Sequence, residues 1–306
     1  MSTTSRAVSA PGAVPARKSK LRTRIHPFLF VAPSVLMLVV LLVLPLGQAF
    51  LRSFDSVDGW GFGNYVRAVR DDRLARLAIR HTFYFAFFSV VGQYLIGFMV
   101  ALLLNERLPG RGLIRVLFMV PWMFPAVVPG IVWRWMFDGL YGVLNEILYR
   151  VGYYGPNEIP IAWLGQTSTA LPAAIVANIW RGFPFMMVLL LAGLQAVNPD
   201  LYEAASVDGA NAWQRFRAIT LPAMRGISYV ALLLAWIGSF MNFAIVQVMT
   251  AGGPANSSEV FATLIYKNAF LYADPNYAAA LGILLLICLM IPGALYVRAT
   301  LRNSRA

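Results

Sequence analysis

Long apolar runs separated by shorter polar segments dominate the hydropathy pattern of this chain. A helix needs about 20 apolar residues to cross a bilayer, and six runs are long enough. The predicted spans are 28–50, 82–104, 116–137, 171–194, 227–248 and 278–297. Pro121, Pro125 and Pro129 all lie in the third span, and proline removes a donor from the helix. We therefore predict an all-α membrane protein of six transmembrane helices, with the third span broken.

The composition excludes several soluble classes of protein. Of the 306 residues, 59% are apolar or aromatic and only 12% are charged, whereas soluble domains carry about 25% charged residues. The mean hydropathy is +0.66. An ordinary soluble enzyme, a disordered chain and a nucleic-acid-binding domain are therefore excluded as first interpretations, although the net charge is +12. Cys288 lies within an apolar run and is predicted to be a small buried residue.

The charged residues are divided unequally between the two sides of the predicted bundle. Four segments lie on one side: the N-terminal tail, the loop 105–115, the loop 195–226 and the C-terminal tail. Together they hold 15 basic and four acidic residues. The segments 51–81, 138–170 and 249–277 together hold eight basic and nine acidic residues. Lys and Arg accumulate on the cytoplasmic side of membrane proteins. Both termini are therefore predicted to be cytoplasmic, and 51–81 is assigned outside because long loops cross despite their charge.

These assignments give the predicted organisation of the chain. A basic, disordered cytoplasmic tail (1–26) is followed by a first transmembrane helix (27–50) and an extracytoplasmic segment (51–81). A five-helix core (82–297) then leads to a cytoplasmic tail (298–306). The first apolar run has 23 residues, whereas the apolar core of a signal peptide has about 7–15. We therefore expect an uncleaved first span.

The cytoplasmic segment 195–226, within the core, is too long for a simple connector and has helix signals of its own. The sequence Asn-Pro-Asp at 198–200 combines an N-cap, a proline in the first turn and an acid near the positive helix end. It predicts a short helix at 199–208. Gly209 then provides a residue that can take the left-handed conformation at the helix end.

A second short helix follows in the same segment. Asn211 and Gln214 have the spacing of a capping box, and Leu-Pro at 221–222 is expected to end the helix before the next span. Two interpretations fit this hairpin. It can lie on lipid headgroups as an amphipathic pair, or it can fit a groove on another protein, where Ala204 and Ala205 permit close approach.

The residues of the hairpin resemble the EAA loop of ABC-importer permeases. The pattern E-A-A-x3-G-x9-I-x-L-P is matched without departure at Glu203, Ala204, Ala205, Gly209, Ile219, Leu221 and Pro222. Tyr202, Asp208, Thr-Ala-Gly-Gly-Pro at 250–254 and Gly-Phe-Gly-Asn-Tyr at 61–65 extend the likeness. The chain after residue 25 is similar to carbohydrate permeases of the maltose, glycerol-3-phosphate and multiple-sugar type.

This resemblance implies a type I ABC importer permease fold and a place in the bacterial cytoplasmic (inner) membrane. The implied partners, besides membrane lipid and a sugar substrate, are a second homologous permease, two ATPase subunits and an extracytoplasmic solute-binding protein, with no nucleic acid. The residues implied to couple to the ATPase are Glu203, Ala204, Ala205, Asp208, Gly209, Ile219, Leu221 and Pro222.

The chain is expected to be a transport subunit and not an enzyme. None of its three lysines lies in a G-x4-G-K-[ST] phosphate loop, so ATP and Mg are expected at the partner ATPase. No catalytic nucleophile–base pair and no cluster of metal ligands is recognisable. We therefore predict no catalytic residue, no metal and no cofactor bound by this chain.

Polar groups inside the spans indicate where a solute would pass, because they are costly in a bilayer. Gly182 and Pro184 are expected to break the fourth span, while Ser239 and Asn242 share a helix face in the fifth. Aromatic, amide and hydroxyl groups suit a sugar, and the resemblance places substrate contacts in both stretches. The predicted pathway residues are Trp180, Arg181, Gly182, Phe185, Ser239 and Asn242. Helix packing is the alternative role for the small residues.

The arginines within spans leave the solute open. Arg181 can face an anionic solute such as glycerol-3-phosphate, pair with a carboxylate or extend to the interface, whereas Arg134 is expected to extend to the outer interface. A self-sufficient secondary transporter is less consistent with the sequence. It would need inverted repeats and an acid within the membrane, yet all 13 acids lie in predicted loops or tails.

Overall fold

The computed structural model describes residues 22–57, 59–106, 108–155 and 158–303. The described chain divides into two units between Ala49 and Phe50. The helices and strands are, in chain order, α1 (Arg22–Leu38), α2 (Leu44–Arg52), β1 (Asp55–Ser56), β2 (Gly59–Trp60), α3 (Gly63–Val66), α4 (Arg73–Asn105), α5 (Arg111–Met123), α6 (Val127–Met136), α7 (Val143–Arg150), α8 (Ala170–Gln195), α9 (Pro199–Val207), α10 (Ala212–Arg215), α11 (Leu221–Phe240), α12 (Ala244–Met249), α13 (Phe261–Tyr266) and α14 (Pro275–Asn303). π-helical turns at Val39–Val43, Arg67–Asp71, Phe216–Thr220 and Lys267–Leu271 connect some of them.

The six predicted spans correspond to long apolar helices. Five stretches of the described chain are long and apolar enough to cross a membrane, and the pair α5–α6 makes a sixth if it counts as one span. The predicted six-helix, all-α class is confirmed, with one two-stranded antiparallel hairpin formed by β1 and β2. Helical structure also extends into the predicted tails, since α1 begins at Arg22 and α14 ends at Asn303; residues 1–21 and 304–306 lie outside the described residues.

The third span is broken, as its prolines predict. Helices α5 and α6 are bent by 95° relative to each other. Pro125 lies between them, where it cannot donate a backbone hydrogen bond. Pro121 in α5 and Pro129 in α6 are both buried, so neighbouring segments surround the two positions at which the helical hydrogen bonding is weakened.

The predicted break in the fourth span is wrong. Helix α8 continues without interruption through Gly182 and Pro184. Pro184 removes only one donor, the one that would pair with the carbonyl of Trp180. Packing holds the helix together here, because a Cβ on Gly182 would lie 2.4 Å from the side-chain amide of Gln93 on α4. Gly182 therefore permits two helices to approach closely and does not end one.

The fifth span is interrupted instead. Helix α11 ends at Phe240 and α12 begins at Ala244. The Asn242 side chain accepts a hydrogen bond from the backbone N–H of Ile245 at 3.2 Å, which satisfies one of the free donors at the start of α12. Asn242, which precedes the N-cap residue Phe243, thus stabilises the start of α12 after the interruption.

Helix α4 packs along α8 and provides much of the core. Gly97 allows the contact, since a Cβ there would lie 2.9 Å from the Met186 side chain and 3.0 Å from the Met187 nitrogen. Apolar side chains on either side of this crossing are fully buried, among them Phe85 and Leu190. Tyr94 of α4 also bonds Ser228 of α11 at 2.9 Å between hydroxyl oxygens, so α4 contacts both helices that contain the predicted pathway residues other than Asn242.

The Gly-Phe-Gly-Asn-Tyr motif at 61–65 has a structural role after the second helix. The Asn64 amide donates to the carbonyls of Ser53 (3.2 Å) and Asp55 (3.0 Å). The Tyr65 hydroxyl lies 2.6 Å from the Ser53 hydroxyl. These bonds satisfy buried polar groups at the turn that leads into β1. The motif therefore fixes the chain where α2 ends.

Candidate coupling hairpin and transport cavity

The short helices predicted within 195–226 are present, with the predicted caps. Asn198 Oδ1 accepts from the backbone N–H of Asp200 at 3.0 Å at the start of α9. Gly209 has φ +79°, the left-handed conformation that glycine adopts without strain. Asn211 and Gln214 each accept a hydrogen bond from the other's backbone N–H, at 2.9 and 2.8 Å. This reciprocal pair is the capping box that begins α10.

The sequence predicted that Leu221 and Pro222 end the second helix of the hairpin, and this prediction is wrong. A π-helical turn at Phe216–Thr220 leads directly into α11. The Leu221 N–H donates to the Phe216 carbonyl, five residues back. Pro222 follows this turn at the start of α11, where its missing N–H removes only one donor from the continuous helix. The hairpin is therefore continuous with the helix of the fifth span.

Side-chain contacts tie the two halves of the hairpin together and to the bundle. The Tyr202 hydroxyl lies 3.0 Å from Oγ1 of the buried Thr220. Arg215 Nη1 donates to Ser206 Oγ at 2.7 Å, and the Phe216 ring lies 6.0 Å from that of Phe98 on α4. These contacts connect α9 to α10, to the π-helical turn before α11 and to α4.

The EAA face of this hairpin is exposed. Most residues of the EAA motif are exposed, among them Glu203, Ala204, Asp208, Gly209 and Leu221. Ala205 and Ile219 are half-buried, and Pro222 is exposed. Val207 and Trp213 expose 88% and 66% of their surface beside this face. An exposed carboxylate with small and apolar neighbours has the chemistry of a docking surface.

Four of the six predicted pathway residues line a cavity of about 280 Å³ between the spans. Arg181, Gly182, Phe185 and Ser239 line it, together with residues that sequence reasoning missed: Gln93, Trp122, Asn178, Leu234, Ala235 and Gly238. Trp180 lies elsewhere on α8, with its ring 6.0 Å from that of Trp133 on α6.

A buried polar network forms one wall of this cavity. Gln93 Nε2 donates to the Asn178 carbonyl at 3.1 Å, and Asn178 Nδ2 donates to Ser239 Oγ at 3.1 Å. Asn242 Nδ2 donates to Asn178 Oδ1 at 2.9 Å. Gln93 and Asn178, like Ser239 and Asn242, are polar residues within apolar spans. The missed residues therefore had a sequence signal.

An aromatic pair and an arginine complete the cavity. The rings of Trp122 and Phe185 are stacked, with centroids 5.7 Å apart and planes at 19°. Arg181 Nε is buried and has no hydrogen-bond partner in the described part of the chain. Arg134, by contrast, donates through Nη1 to the Val248 carbonyl at 3.3 Å in an exposed contact. The cavity thus offers an apolar ring surface, amide and hydroxyl groups, and one positive charge.

Replacing Asn178 with leucine is expected to lower the free energy of unfolding by about 2 kcal/mol, because the Asn242 amide and the Ser239 hydroxyl would each lose a buried partner. Gln247→Leu is a matched control: Gln247 Oε1 is already buried with no partner among the described residues, so its loss should leave stability unchanged or raise it. Thermal unfolding of the detergent-solubilised chain measures both. Equal effects of the two variants would contradict a stabilising network.

A bundle of long apolar helices around a small cavity with aromatic, amide and cationic groups in its walls, and an exposed helical hairpin continuous with one span, is typical of a multi-pass membrane transport component. Residues 93–303 match the model of the family described as "Binding-protein-dependent transport system inner membrane component". The chain belongs to this family of ABC transporter permeases, which confirms the predicted family, and its role is transport and not enzymatic catalysis.

Similar proteins agree with this assignment. The chain is 34% identical over 288 residues to the trehalose/maltose transport system permease protein MalF of Thermococcus litoralis, covering 92% of this chain and 95% of the relative. It is 32% identical over 286 residues to the sulfoquinovosyl glycerol transport system permease protein SmoG of Agrobacterium fabrum, covering 91% of each. Its fold is similar to a chain of the bacterial alginate ABC transporter solved with an alginate pentasaccharide-bound periplasmic protein, with a TM-score of 0.80, 21% identity, and 94% of this chain and 97% of that chain covered.

Proposed function

We propose that this permease subunit forms one half of the translocation pathway of an ATP-driven sugar importer in the bacterial cytoplasmic membrane, with both termini in the cytoplasm. The permeases it resembles are named for trehalose and maltose and for sulfoquinovosyl glycerol. The stacked Trp122 and Phe185 rings suit the apolar face of a sugar ring. Asn178, Ser239 and Gln93 provide the amide and hydroxyl groups that pair with sugar hydroxyls.

The single observation that carries the coupling role is the continuity of the exposed EAA hairpin with α11. Helix α11 also contributes Ser239 to the cavity wall. In the proposed cycle, an ATPase subunit binds the face that contains Glu203, and closure of the ATPase pair moves α9. The Tyr202–Thr220 contact and the π-helical turn transmit this movement to α11. The cavity then opens alternately toward the two sides of the membrane.

The proposed importer contains a second homologous permease, two ATPase subunits and an extracytoplasmic solute-binding protein. The second permease would provide the other half of the pathway, and ATP and Mg would be bound by the ATPase subunits. In this arrangement Glu203, Ala204, Ala205, Asp208, Gly209, Ile219, Leu221 and Pro222 form or support the ATPase-docking surface. The pathway includes the cavity residues. Trp180 and Asn242 do not line the cavity but support it, because Asn242 bonds Asn178 and Trp180 packs on Trp133.

Purification from native membranes in mild detergent tests the proposed assembly. We expect the tagged chain to retain a second permease and an ATPase. In proteoliposomes, sugar uptake should require ATP on the hairpin side and the binding protein on the opposite side. A chain that purifies alone and moves solute without ATP would contradict the importer, and the hairpin would then be an interfacial amphipathic pair.

A further inference from the structure

Among the residues that the structure describes, Arg181 is the one charged residue that lines the cavity between the spans. Asp and Glu are absent among the residues that line this cavity. The ion pairs of the described residues involve Arg67, Arg150 and Lys267 and do not include Arg181. The Arg181 Nε is buried and has no hydrogen-bond partner among those residues. The guanidinium is effectively always protonated, so a positive charge faces the cavity without a counter-charge from the described chain.

Arg181 lies too far from either end of its helix for its guanidinium group to reach the membrane interface. Arg181 is the twelfth residue of α8, which begins at Ala170 and has 26 residues. A rise of 1.5 Å per residue places it about 17 Å from one end of the helix and about 21 Å from the other. Arginine side chains reach the interface from near helix ends. Arg134 is in that situation, two residues before the end of α6 and in an exposed contact, whereas Arg181 is near the middle of its helix.

Two partners then remain for this charge, a carboxylate of the second permease subunit and an anion that enters the cavity, and the chemistry of the cavity favours the anion. Arginine pairs with the planar oxygens of carboxylates and with phosphate or sulfonate oxygens through parallel N–H donors. The other cavity walls specify the rest of the solute. Trp122 and Phe185 present a ring-sized apolar surface, and Asn178 and Ser239 present hydroxyl-binding groups. A short phosphorylated polyol has an anionic group but no ring to cover the aromatic pair.

We propose that the solute is an acidic sugar, a sugar ring that carries a carboxylate, sulfonate or phosphate group, and that Arg181 binds the anionic group during passage. This inference rests on the proposed importer function and adds the charge of the substrate. The ring lies against Trp122 and Phe185 and the anion faces Arg181. Arg181 is thereby a specificity-determining residue, which selects acidic sugars over neutral sugars of the same ring.

The test uses the complete importer, reconstituted with its ATPase and binding protein. The labelled probes are glucose, glucuronate, the 6-sulfonate analogue of glucose, glucose 6-phosphate, galactose, galacturonate and glycerol 3-phosphate. We expect ATP-dependent uptake of at least one acidic sugar, in preference to its neutral counterpart. Arg181→Gln should lower that uptake at least about tenfold through loss of a charged hydrogen-bonded pair, and Arg181→Lys should retain part of it because it keeps the charge without the paired donors.

Arg134→Gln removes an arginine outside this cavity and serves as the matched control, with uptake expected near the wild-type rate. Co-purification of the ATPase with each variant confirms that it has folded and assembled. Uptake restricted to neutral sugars or to glycerol 3-phosphate would overturn the inference. Normal uptake of the acidic sugar by Arg181→Gln would also overturn it. An equal loss of neutral and acidic sugar uptake in that variant would overturn it too, because this is the result expected if Arg181 pairs with a carboxylate of the partner subunit. Absence of ATP-dependent uptake for every sugar would instead count against the proposed importer.

Discussion

Replacing Glu203 with lysine is expected to abolish ATP-driven uptake and to release the ATPase from the purified complex. Glu203 is exposed on α9, and the ion pairs of the described residues do not include it, so its replacement leaves the hairpin itself intact. In the proposed complex its carboxylate lies within a protein groove. Placing a positive charge there, opposite groups arranged for a negative one, is expected to cost about 3–5 kcal/mol of docking free energy, or at least a hundredfold in affinity.

Co-purification of the ATPase, its nucleotide hydrolysis and solute uptake measure this effect. Glu106→Lys is the matched control, because Glu106 is an exposed acid on the same predicted side of the membrane but outside the hairpin. The control should retain the ATPase, and both variants should elute as folded, monodisperse proteins. If Glu203→Lys keeps the ATPase and transports at the wild-type rate, the docking role of the EAA face is wrong and the lipid-surface alternative gains support.

Replacing Lys267 with methionine is expected to destabilise the protein by about 3–5 kcal/mol, because it leaves a buried carboxylate without its cation. Glu259 is fully buried and pairs with Lys267, whose side chain is only 14% exposed. Gly252 comes close to both groups, with a φ of +84° that favours glycine. The Thr-Ala-Gly-Gly-Pro motif at 250–254 thus closes over this ion pair, and its loss should loosen the whole segment.

Thermal unfolding in detergent measures this effect, and two further variants make it specific. The double variant Glu259→Met/Lys267→Met removes both charges and should recover most of the lost stability, since apolar residues often replace a buried pair at little cost. Arg150→Met breaks the exposed Arg150–Glu146 pair, whose side chains are 76% and 54% exposed, and should have almost no effect. A Lys267→Met variant no less stable than Arg150→Met would show that the burial of Glu259 is not maintained.

The hairpin was predictable because its determinants are local. Asn198 caps α9 through a bond to a residue two positions on, and Asn211 and Gln214 bond across three positions. Such contacts form wherever the surrounding chain lies, so the sequence pattern is sufficient to identify them. The prediction that failed nearby, a helix end at Pro222, failed because a π-helical turn shifts the hydrogen bonding by one residue, and this compensation has no simple sequence pattern.

The cavity was only partly predictable because its walls join distant residues. The hydrogen bonds of the polar network connect positions 85, 61 and 64 residues apart. Sequence reasoning found Ser239 and Asn242 as polar residues in a span, but Gln93 and Asn178 became part of the same site only through the packing of α4 against α8. The continuity of α8 through Pro184 likewise depends on that packing.

The sequence by itself determined the number of spans, the break in the third span, the capped hairpin and the permease family, because each depends on apolar length or on contacts between near neighbours. The tertiary structure decided which side chains share a cavity, where the fifth span is interrupted and which charges are left without a partner. These properties arise from helix crossings, at which glycines such as Gly182 and Gly97 let backbones approach. The charge of Arg181, which has no ion-pair partner in the described part of the chain, is the tertiary feature from which the acidity of the solute is inferred.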